Sequence, residues 1–299
     1  MIAIRPLHAV AAYGRMIKFS HSVFALPFAL SGAAMAATRS GVTLSQIGWI
    51  ALAMVGARSA AMGFNRLVDR HIDAANPRTS NRELPQGAVS TRAVWLMVLL
   101  SSALLVWAAH RLNPLCLYLS PLALLILLSY SYTKRFTWAS HLVLGLSLGL
   151  APVGAWIAVT GSVTLVPVVL GLAVLAWVAG FDILYACQDH AFDVAAGLHS
   201  IPARFGLRRS LHVARFLHAL TVILMFIVAD LMGLNSLYLL GVAVIAGLLF
   251  YEHRLVKVGD LTRVDTAFMT MNSIVSVGYF AFTLADLLLL GDGGPLLQL

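Results

Sequence analysis

The stretch FNRLVDRHIDAANPRTSNRELPQG, residues 64–87, contains Asn65, Asp69 and Asp73, which are spaced four residues apart. Residues at this spacing lie on one face of a helix, one turn from each other. Two carboxylates so close together repel each other unless a cation lies between them. Oxygen-rich sites of this kind suit Mg²⁺, which is usually shared with a substrate phosphate. We call these three residues the first aspartate motif and predict that they form part of a metal site.

A second stretch, FDILYACQDHAFDVAAGLHSIPARFG, residues 181–206, contains a related pattern of three carboxylates and a tyrosine. This second aspartate motif consists of Asp182, Tyr185, Asp189 and Asp193. Six of the chain's 12 acidic residues lie in the two stretches, so the acids are concentrated rather than scattered. Solvated loop acids are the alternative interpretation, but two motifs of matched spacing favour one shared site. The predicted metal ligands are Asn65, Asp69, Asp73, Asp189 and Asp193.

The rest of the chain is apolar, with 60% hydrophobic and only 11% charged residues among its 299. Soluble domains contain about 25% charged residues, so this composition indicates an integral membrane protein. The alternating ten-residue strands of a membrane β-barrel are not seen. Nine apolar runs have the length of a membrane-spanning helix. They are Phe19–Ala37, Ser45–Phe64, Ala93–Ala109, Leu115–Ser131, Leu142–Val159, Val163–Tyr185, Val213–Ala229, Ser236–Tyr251 and Ala267–Leu290.

These runs predict an all-α membrane protein in which nine transmembrane helices surround a central cavity. The motifs recur about 120 residues apart, near the ends of the second and sixth runs, which suggests two similar halves. We find no linker, so residues 1–299 are expected to form one domain. The segment 291–299 is predicted to be a short frayed tail. Cys116 and Cys187 provide neither a disulfide framework nor metal-binding spacing and are interpreted as free thiols.

The basic residues predict the orientation of the helices. Of the 20 Lys and Arg residues, 17 lie in the loops on the side of the two motifs, and only Arg39 and Arg111 lie in the opposite loops. Because basic loops favour the cytoplasm, the N-terminus and both motifs are predicted to be cytoplasmic, in a bacterial inner membrane. The net charge of +8 follows this asymmetry and no nucleic-acid motif accompanies it, so membrane lipid and an anionic substrate are the expected partners.

Several polar residues near the motifs are candidates for substrate binding. Arginine and lysine match phosphate oxygens, and the alternative for each basic residue taken singly is that it only marks the cytoplasmic face. For Asn65, Tyr185 and Asn272 there are two interpretations: they line the cavity, or they pack between helices. His21, beside Lys18 and Ser20, is a ligand contact or an interfacial anchor. The predicted substrate-binding residues are Asn65, Arg70, Arg82, Lys134, Tyr185, Arg204 and Asn272, with Arg82 and Lys134 favoured for a diphosphate.

At these residues the chain resembles the UbiA family of intramembrane prenyltransferases. The resemblance covers essentially the whole chain and includes NRLVDRHID, NPRTSNRELPQG, YSYTKRFTWASHLVLGLSLGLAPVGAW and DILYACQDHAFDVAAGLHSIPARFG. One departure is NRELP, where Glu83 stands in place of the proline of many relatives. Within the family the chain looks most like the 4-hydroxybenzoate polyprenyltransferase branch. FDILYACQD and GLHSIPARFG also resemble relatives of the futalosine menaquinone route.

The resemblance implies two Mg²⁺ ions that bridge the two motifs through a polyprenyl diphosphate. It implies transfer of the polyprenyl group to a small aromatic acid such as 4-hydroxybenzoate, with 1,4-dihydroxy-6-naphthoate as the alternative acceptor. No protein partner is implied. The residues then expected to be catalytic are Asp69, Asp73, Asp182, Asp189 and Asp193.

Other functions fit the sequence less well. A secondary transporter also uses repeats and intramembrane charges, but its site lies near the membrane midplane, whereas these acids cluster at one face. A phosphatidyltransferase would carry Asp-Gly and Ala-Arg signatures that are missing here. A haem or chlorophyll-type acceptor is a further alternative, although the second motif favours a small aromatic one.

Overall fold

The computed structural model describes residues 14, 16, 22–291 and 294–298, and nearly all of them are helical. We number the helices α1 to α11 in chain order. They are Ser22–Ser40 (α1), Leu44–Ala75 (α2), Thr91–Leu112 (α3), Pro114–Thr133 (α4), Ser140–Thr160 (α5), Leu165–Ala186 (α6), His190–Ala195 (α7), Ile201–Met232 (α8), Ser236–Leu255 (α9), Val264–Thr266 (α10) and Asn272–Leu289 (α11). A 3₁₀ turn, Cys187–Asp189, joins α6 to α7, and a π-helical turn, Ala267–Met271, precedes α11.

The predicted all-α membrane fold is confirmed. Eight helical segments in the described part of the chain are long and apolar enough to cross a membrane. The first predicted run, Phe19–Ala37, corresponds to α1, although its start at Phe19 lies outside the described residues, as do Lys18, Ser20 and His21. The order of the helices therefore follows the nine predicted runs.

Two helices are much longer than the apolar runs that predicted them. Helix α2 ends at Ala75, eleven residues beyond Phe64, so the first aspartate motif lies on a continuous helix. Helix α8 begins at Ile201, twelve residues before Val213, because Ser200 caps its first turn by accepting a hydrogen bond from the Ala203 amide, and the helix is kinked at Gly206, whose φ of 78° and ψ of 164° are not helical. Polar helical extensions satisfy their own backbone groups, so they continue where hydrophobicity stops.

The helices pack in two groups that share α5. Helices α2, α3 and α4 form one group with α5, and α1, α5, α6, α8, α9 and α11 form the other. Helices α5 and α6 approach closely at glycines: a Cβ added at Gly149 would lie 2.5 Å from the Gly171 carbonyl oxygen. Small residues allow helix backbones to approach in this way. The contact fixes α6, which carries the start of the second motif, against α5, the helix that the two groups share.

The prediction that residues 291–299 form a frayed tail is wrong in one respect. Leu297–Gln298 pairs in parallel with Val42–Thr43, and the Val42 amide donates a hydrogen bond to the Leu296 carbonyl oxygen at 2.9 Å. The backbone hydrogen bonds of the tail therefore go to the turn between α1 and α2. Such a pairing depends on contacts between the two ends of the chain, which local composition does not reveal.

Candidate active site

Both aspartate motifs line one polar cavity of about 280 Å³ at the end of the helix bundle. Helix α2 and the following loop, residues 76–82, form one wall, and α6 with the segment 189–200 forms the other. The end of α4 and the start of α5 close the cavity between them. The structure thus brings together two motifs that are about 120 residues apart in the chain. The predicted residues in the lining are Asn65, Asp69, Asp73, Arg82, Lys134, Asp182, Tyr185, Asp189 and Asp193.

Asp69 is buried and is held by three donors. Lys134 Nζ lies 3.0 Å from Oδ2 and Arg135 Nη2 lies 3.0 Å from Oδ1. Asn65, one turn earlier, donates to Oδ2 at 2.9 Å through its side-chain amide. These cations come from the loop between α4 and α5. A buried carboxylate requires such compensation because an unpaired charge at this depth is costly.

Asp73 is also buried, and its two carboxylate oxygens differ. Arg82 Nη1 donates to Oδ1 at 2.7 Å. Oδ2 is buried and accepts no hydrogen bond from any residue that the structure describes. Arg66 Nη1 lies 3.7 Å from Oδ2, beyond hydrogen-bonding distance. Asp73 therefore keeps one buried oxygen for which the protein supplies no direct hydrogen-bond donor.

Asp189 in the second motif is bound by residues of the loop that follows the first. Both Nη2 and Nε of Arg78 donate to its carboxylate, the latter at 2.8 Å, and Asn76 donates at 3.0 Å. Arg78 Nη1 also donates to the Tyr185 hydroxyl at 2.8 Å. Burial acts to lower the pKa of the Arg78 guanidinium, but Asp189 and Tyr185 together raise it above its ordinary value. Arg78 therefore remains a cation that joins the two motifs.

The remaining carboxylates of the second motif contact fewer cations. Asp193 lies on the short helix α7 and accepts a hydrogen bond from Ser200 Oγ at 2.9 Å. Asp182 lies deeper, within α6, and its Oδ2 is 2.7 Å from His141 Nδ1. His141 had no role in the sequence analysis, since its partner is 41 residues away. No spacing rule would have found this pair.

A second, apolar cavity of about 350 Å³ adjoins the polar one. It lies among α2, α3, α4 and α5, and alanine and leucine dominate its walls. Arg58, Met62, Tyr130, Leu144 and Leu148 line both cavities, so the two spaces meet at these residues. Arg58, which lies inside a spanning helix, is the cation at this junction.

Three predicted substrate-binding residues lie elsewhere. Arg70 and Arg204 are exposed and are not among the residues that line the polar cavity. Asn272 is fully buried in the helix packing, where it accepts a hydrogen bond from Trp177 Nε1 at 2.9 Å and donates to Glu252 at 3.1 Å. The structure adds cavity residues that the sequence analysis left without a role. They are Arg58, Arg66, Asn76, Tyr130, His141 and His199.

The donor set of the polar cavity fits a hard cation such as Mg²⁺. No group of three or more His, Cys, Asp or Glu side chains in the described residues lies close enough together to hold a metal alone. A cation here would therefore take part of its coordination from the substrate. Mg²⁺ commonly binds in this way, through one or two carboxylates, water and substrate phosphates. Asp73 Oδ2, buried without a hydrogen bond from the described residues, supports this assignment.

The sequence profile of the UbiA prenyltransferase family matches residues 25–274. The chain belongs to this family. The 4-hydroxybenzoate octaprenyltransferase of Vibrio cholerae serotype O1 is 34% identical over 220 residues, which are 73% of this chain and 76% of the relative. The predicted family resemblance is thereby confirmed, and the conclusion rests on a match that includes both aspartate motifs.

Solved structures of UbiA homologues share the fold. The apo structure of a UbiA homologue from Aeropyrum pernix K1 is 36% identical, with a TM-score of 0.82 over 89% of this chain and 98% of that one. A UbiA homologue from Archaeoglobus fulgidus bound to DMAPP and Mg²⁺ has a TM-score of 0.71 over 93% of this chain and 99% of that one. At 23% identity this likeness shows a shared fold.

Proposed function

We propose that this UbiA-family protein is a Mg²⁺-dependent polyprenyltransferase that transfers a polyprenyl group from its diphosphate to 4-hydroxybenzoate. The observation that carries the proposal is the junction of a carboxylate- and arginine-lined cavity with an apolar one. A polyprenyl diphosphate has the same division into a charged head and an apolar tail. The names of the curated relatives, 4-hydroxybenzoate octaprenyltransferases, support the choice of acceptor.

The diphosphate is proposed to bind in the polar cavity. Arg78, Arg82 and Lys134 line the cavity and supply positive charge there, and arginine forks match phosphate oxygens. When bound, Mg²⁺ would be held jointly by oxygens of the substrate diphosphate and by residues from the set Asn65, Asp69, Asp73, Asp189 and Asp193, and it would neutralise charge that develops on the departing pyrophosphate. The basic side chains that line the cavity stabilise the same developing charge as the bond between carbon and oxygen breaks.

The apolar cavity is proposed to hold the prenyl tail and to protect the reaction from water. Its walls are mostly alanine and leucine, which offer few hydrogen-bonding partners to a water molecule. Exclusion of water prevents hydrolysis of an allylic cation before the acceptor reacts. The acceptor ring attacks the cationic carbon of the prenyl group with its π electrons, and a new carbon–carbon bond takes the place of the broken carbon–oxygen bond. The ring proton then passes to the released pyrophosphate, which restores aromaticity.

Arg58 and Asp182 are proposed to hold the acceptor at the junction. The carboxylate of a small aromatic acid needs a cation in a largely apolar space, and Arg58 lines both cavities. Asp182 lines the polar cavity and is proposed to contact the acceptor's hydroxyl group. Tyr185 lies on α6, three residues after Asp182, and is proposed to contact the prenyl diphosphate near the carbon that reacts.

We also propose the placement of the protein in the cell. The 17 basic residues in the loops on the cavity side support a cytoplasmic cavity mouth and N-terminus, in a bacterial inner membrane. Residues 1–299 are proposed to form one domain. Fusion of a reporter enzyme to the C-terminus tests the orientation, because an odd number of spans puts the two ends on opposite sides.

A transfer assay tests the activity and the acceptor together. Purified protein in detergent is supplied with radiolabelled geranyl diphosphate, Mg²⁺ and either 4-hydroxybenzoate or 1,4-dihydroxy-6-naphthoate. We expect a prenylated product and release of pyrophosphate, both lost on addition of EDTA and restored by excess Mg²⁺. If product formed with the naphthoate alone, 1,4-dihydroxy-6-naphthoate would be the acceptor and the proposed role would be in menaquinone synthesis. No product and no pyrophosphate release with either acceptor would contradict a prenyltransferase.

A further inference from the structure

His141 links three helices at the deep end of the polar cavity. It lies in the first turn of α5, and its side chain is buried. Its Nδ1 lies 2.7 Å from Asp182 Oδ2 in α6, and its Nε2 lies 3.3 Å from the backbone nitrogen of Ile201, the first residue of α8. Both ring nitrogens therefore have partners that the protein supplies.

The Ile201 contact fixes which ring nitrogen carries the proton. A backbone N–H can only donate, so Nε2 of His141 accepts from Ile201. In a neutral imidazole the other nitrogen then carries the hydrogen, so Nδ1 donates to Asp182. The Ile201 amide is one of the helix N-terminal donors that have no partner within the helix. The backbone of α8 thus orients the imidazole, and the imidazole orients the carboxylate.

We propose that His141 is a positioning residue for prenyl transfer, which holds the Asp182 carboxylate toward the acceptor. The inference rests on the proposed function and deepens it. Asp182 keeps part of its side chain, 24%, accessible from the cavity, while His141 is almost fully enclosed. His141 therefore acts on the acceptor through Asp182. Asp189 follows Asp182 by seven residues and lies beyond the end of α6, on the order of 10 Å along the helix axis, so loss of the Asp182 bond should leave binding of the diphosphate unchanged.

Two substitutions separate the Asp182 bond from the Ile201 bond. In His141→Asn the side-chain amide takes the place of Nδ1 and can still donate to Asp182, but it does not reach Ile201. In His141→Phe the ring volume is kept and both bonds are lost. Because the hydrogen bond to Ile201 is lost in both variants, the difference in their activities measures the contribution of the hydrogen bond to Asp182 alone.

The readout is steady-state kinetics with each substrate varied in turn. We expect His141→Asn to keep kcat/KM for the acceptor within about threefold of the unsubstituted protein. We expect His141→Phe to lose about 10- to 100-fold in that quantity, with KM for the prenyl diphosphate unchanged within twofold. In a protein that already carries Asp182→Asn, His141→Phe should lower kcat/KM for the acceptor by less than a further threefold, because the two residues act as one unit.

Three outcomes would overturn the inference. They are equal losses in the Asn and Phe variants, full activity of His141→Phe, or an equal rise in KM for both substrates. If His141→Phe does not fold, as judged by its melting temperature in detergent, His141→Leu replaces it in the same comparison. Activity of the unsubstituted protein tests the proposed function separately, since the inference concerns only the ratio between variants.

Discussion

The two aspartate motifs have similar sequences but different surroundings. The first lies on the unbroken helix α2, where Asp69 and Asp73 are buried and each lies close to two basic residues. The second spans a break: α6 ends at Ala186, Asp189 lies in a 3₁₀ turn, and Asp193 is on the six-residue helix α7. The first motif is therefore rigid and charge-compensated, whereas the second is more open.

The second motif is held in place by residues of the stretch that contains the first. Arg78 and Asn76, the residues that bind Asp189, both come from the loop that follows α2. Lys134 and Arg135, which compensate Asp69, also come from outside the second stretch. A substitution in the first stretch should consequently affect both halves of the site, and one in the second stretch should remain local.

Loss of Asp69 should have the largest effect. We expect Asp69→Ala to lower transfer at least about 1,000-fold, because a proposed metal ligand disappears and Lys134 and Arg135 lose a shared partner. Transfer of a radiolabelled prenyl group, measured beside the melting temperature, checks this. Asp230→Ala is the matched control, since Asp230 is exposed at the far end of α8 and should behave normally. More than a tenth of normal activity in Asp69→Ala, with Mg²⁺ as sole metal, would refute the assignment.

Conservative replacement of Arg78 should be nearly as damaging. Its guanidinium contacts Asp189 with two nitrogens and the Tyr185 hydroxyl with a third, which a single ammonium cannot reproduce. We expect Arg78→Lys to lose about 100-fold in kcat/KM, nearly as much as Arg78→Ala. Kinetics of the two variants in parallel provide the measurement. If lysine restored activity to within threefold, charge alone would suffice, and the linkage between the motifs would not depend on geometry.

Sequence reasoning predicted the helices because apolar runs determine where a chain crosses a membrane. It predicted the aspartates of the first motif well, since four-residue spacing on a regular helix places them on one face. It was less informative about the second motif, where the helix breaks after Ala186 and spacing no longer defines a face. The break lies between residues that all tolerate a helix, so it depends on tertiary contacts.

The residues whose positions could not be predicted from the sequence have one physical feature in common. Whether a basic residue points inward depends on the rotation of its helix, which charge counting does not reveal. Arg70 and Arg82 both followed the same rule, yet Arg70 is exposed and Arg82 contacts Asp73. His141 and Arg58 were left without a role because their surroundings come from distant segments. The fold, and not the spacing of residues along the chain, determines which side chains come close to His141 and Arg58.

The pair Arg70 and Arg82 provides a matched test of this point. We expect Arg82→Ala to lower kcat/KM for the prenyl diphosphate about tenfold, because Asp73 loses its closest cation and the phosphate loses a donor. Arg70→Ala removes the same charge from the same stretch and should change kcat/KM by less than twofold. Initial rates at varied diphosphate concentration check both. Equal effects would mean that overall positive charge, and not position, determines binding.

The smallest effect is expected at Ser200, which serves only the second motif. Its hydroxyl donates to Asp193 at 2.9 Å and accepts from the Ala203 amide at 3.2 Å, so one side chain caps α8 and orients a carboxylate. Removal of such a cap costs about 1 kcal/mol of stability. We expect Ser200→Ala to lower transfer by about threefold to fivefold and to lower the melting temperature slightly, while Ser200→Thr keeps both bonds and both properties. A loss in Ser200→Ala as large as that in Arg78→Lys would show that the second motif is as rigidly determined as the first, and the asymmetry between the motifs would not hold.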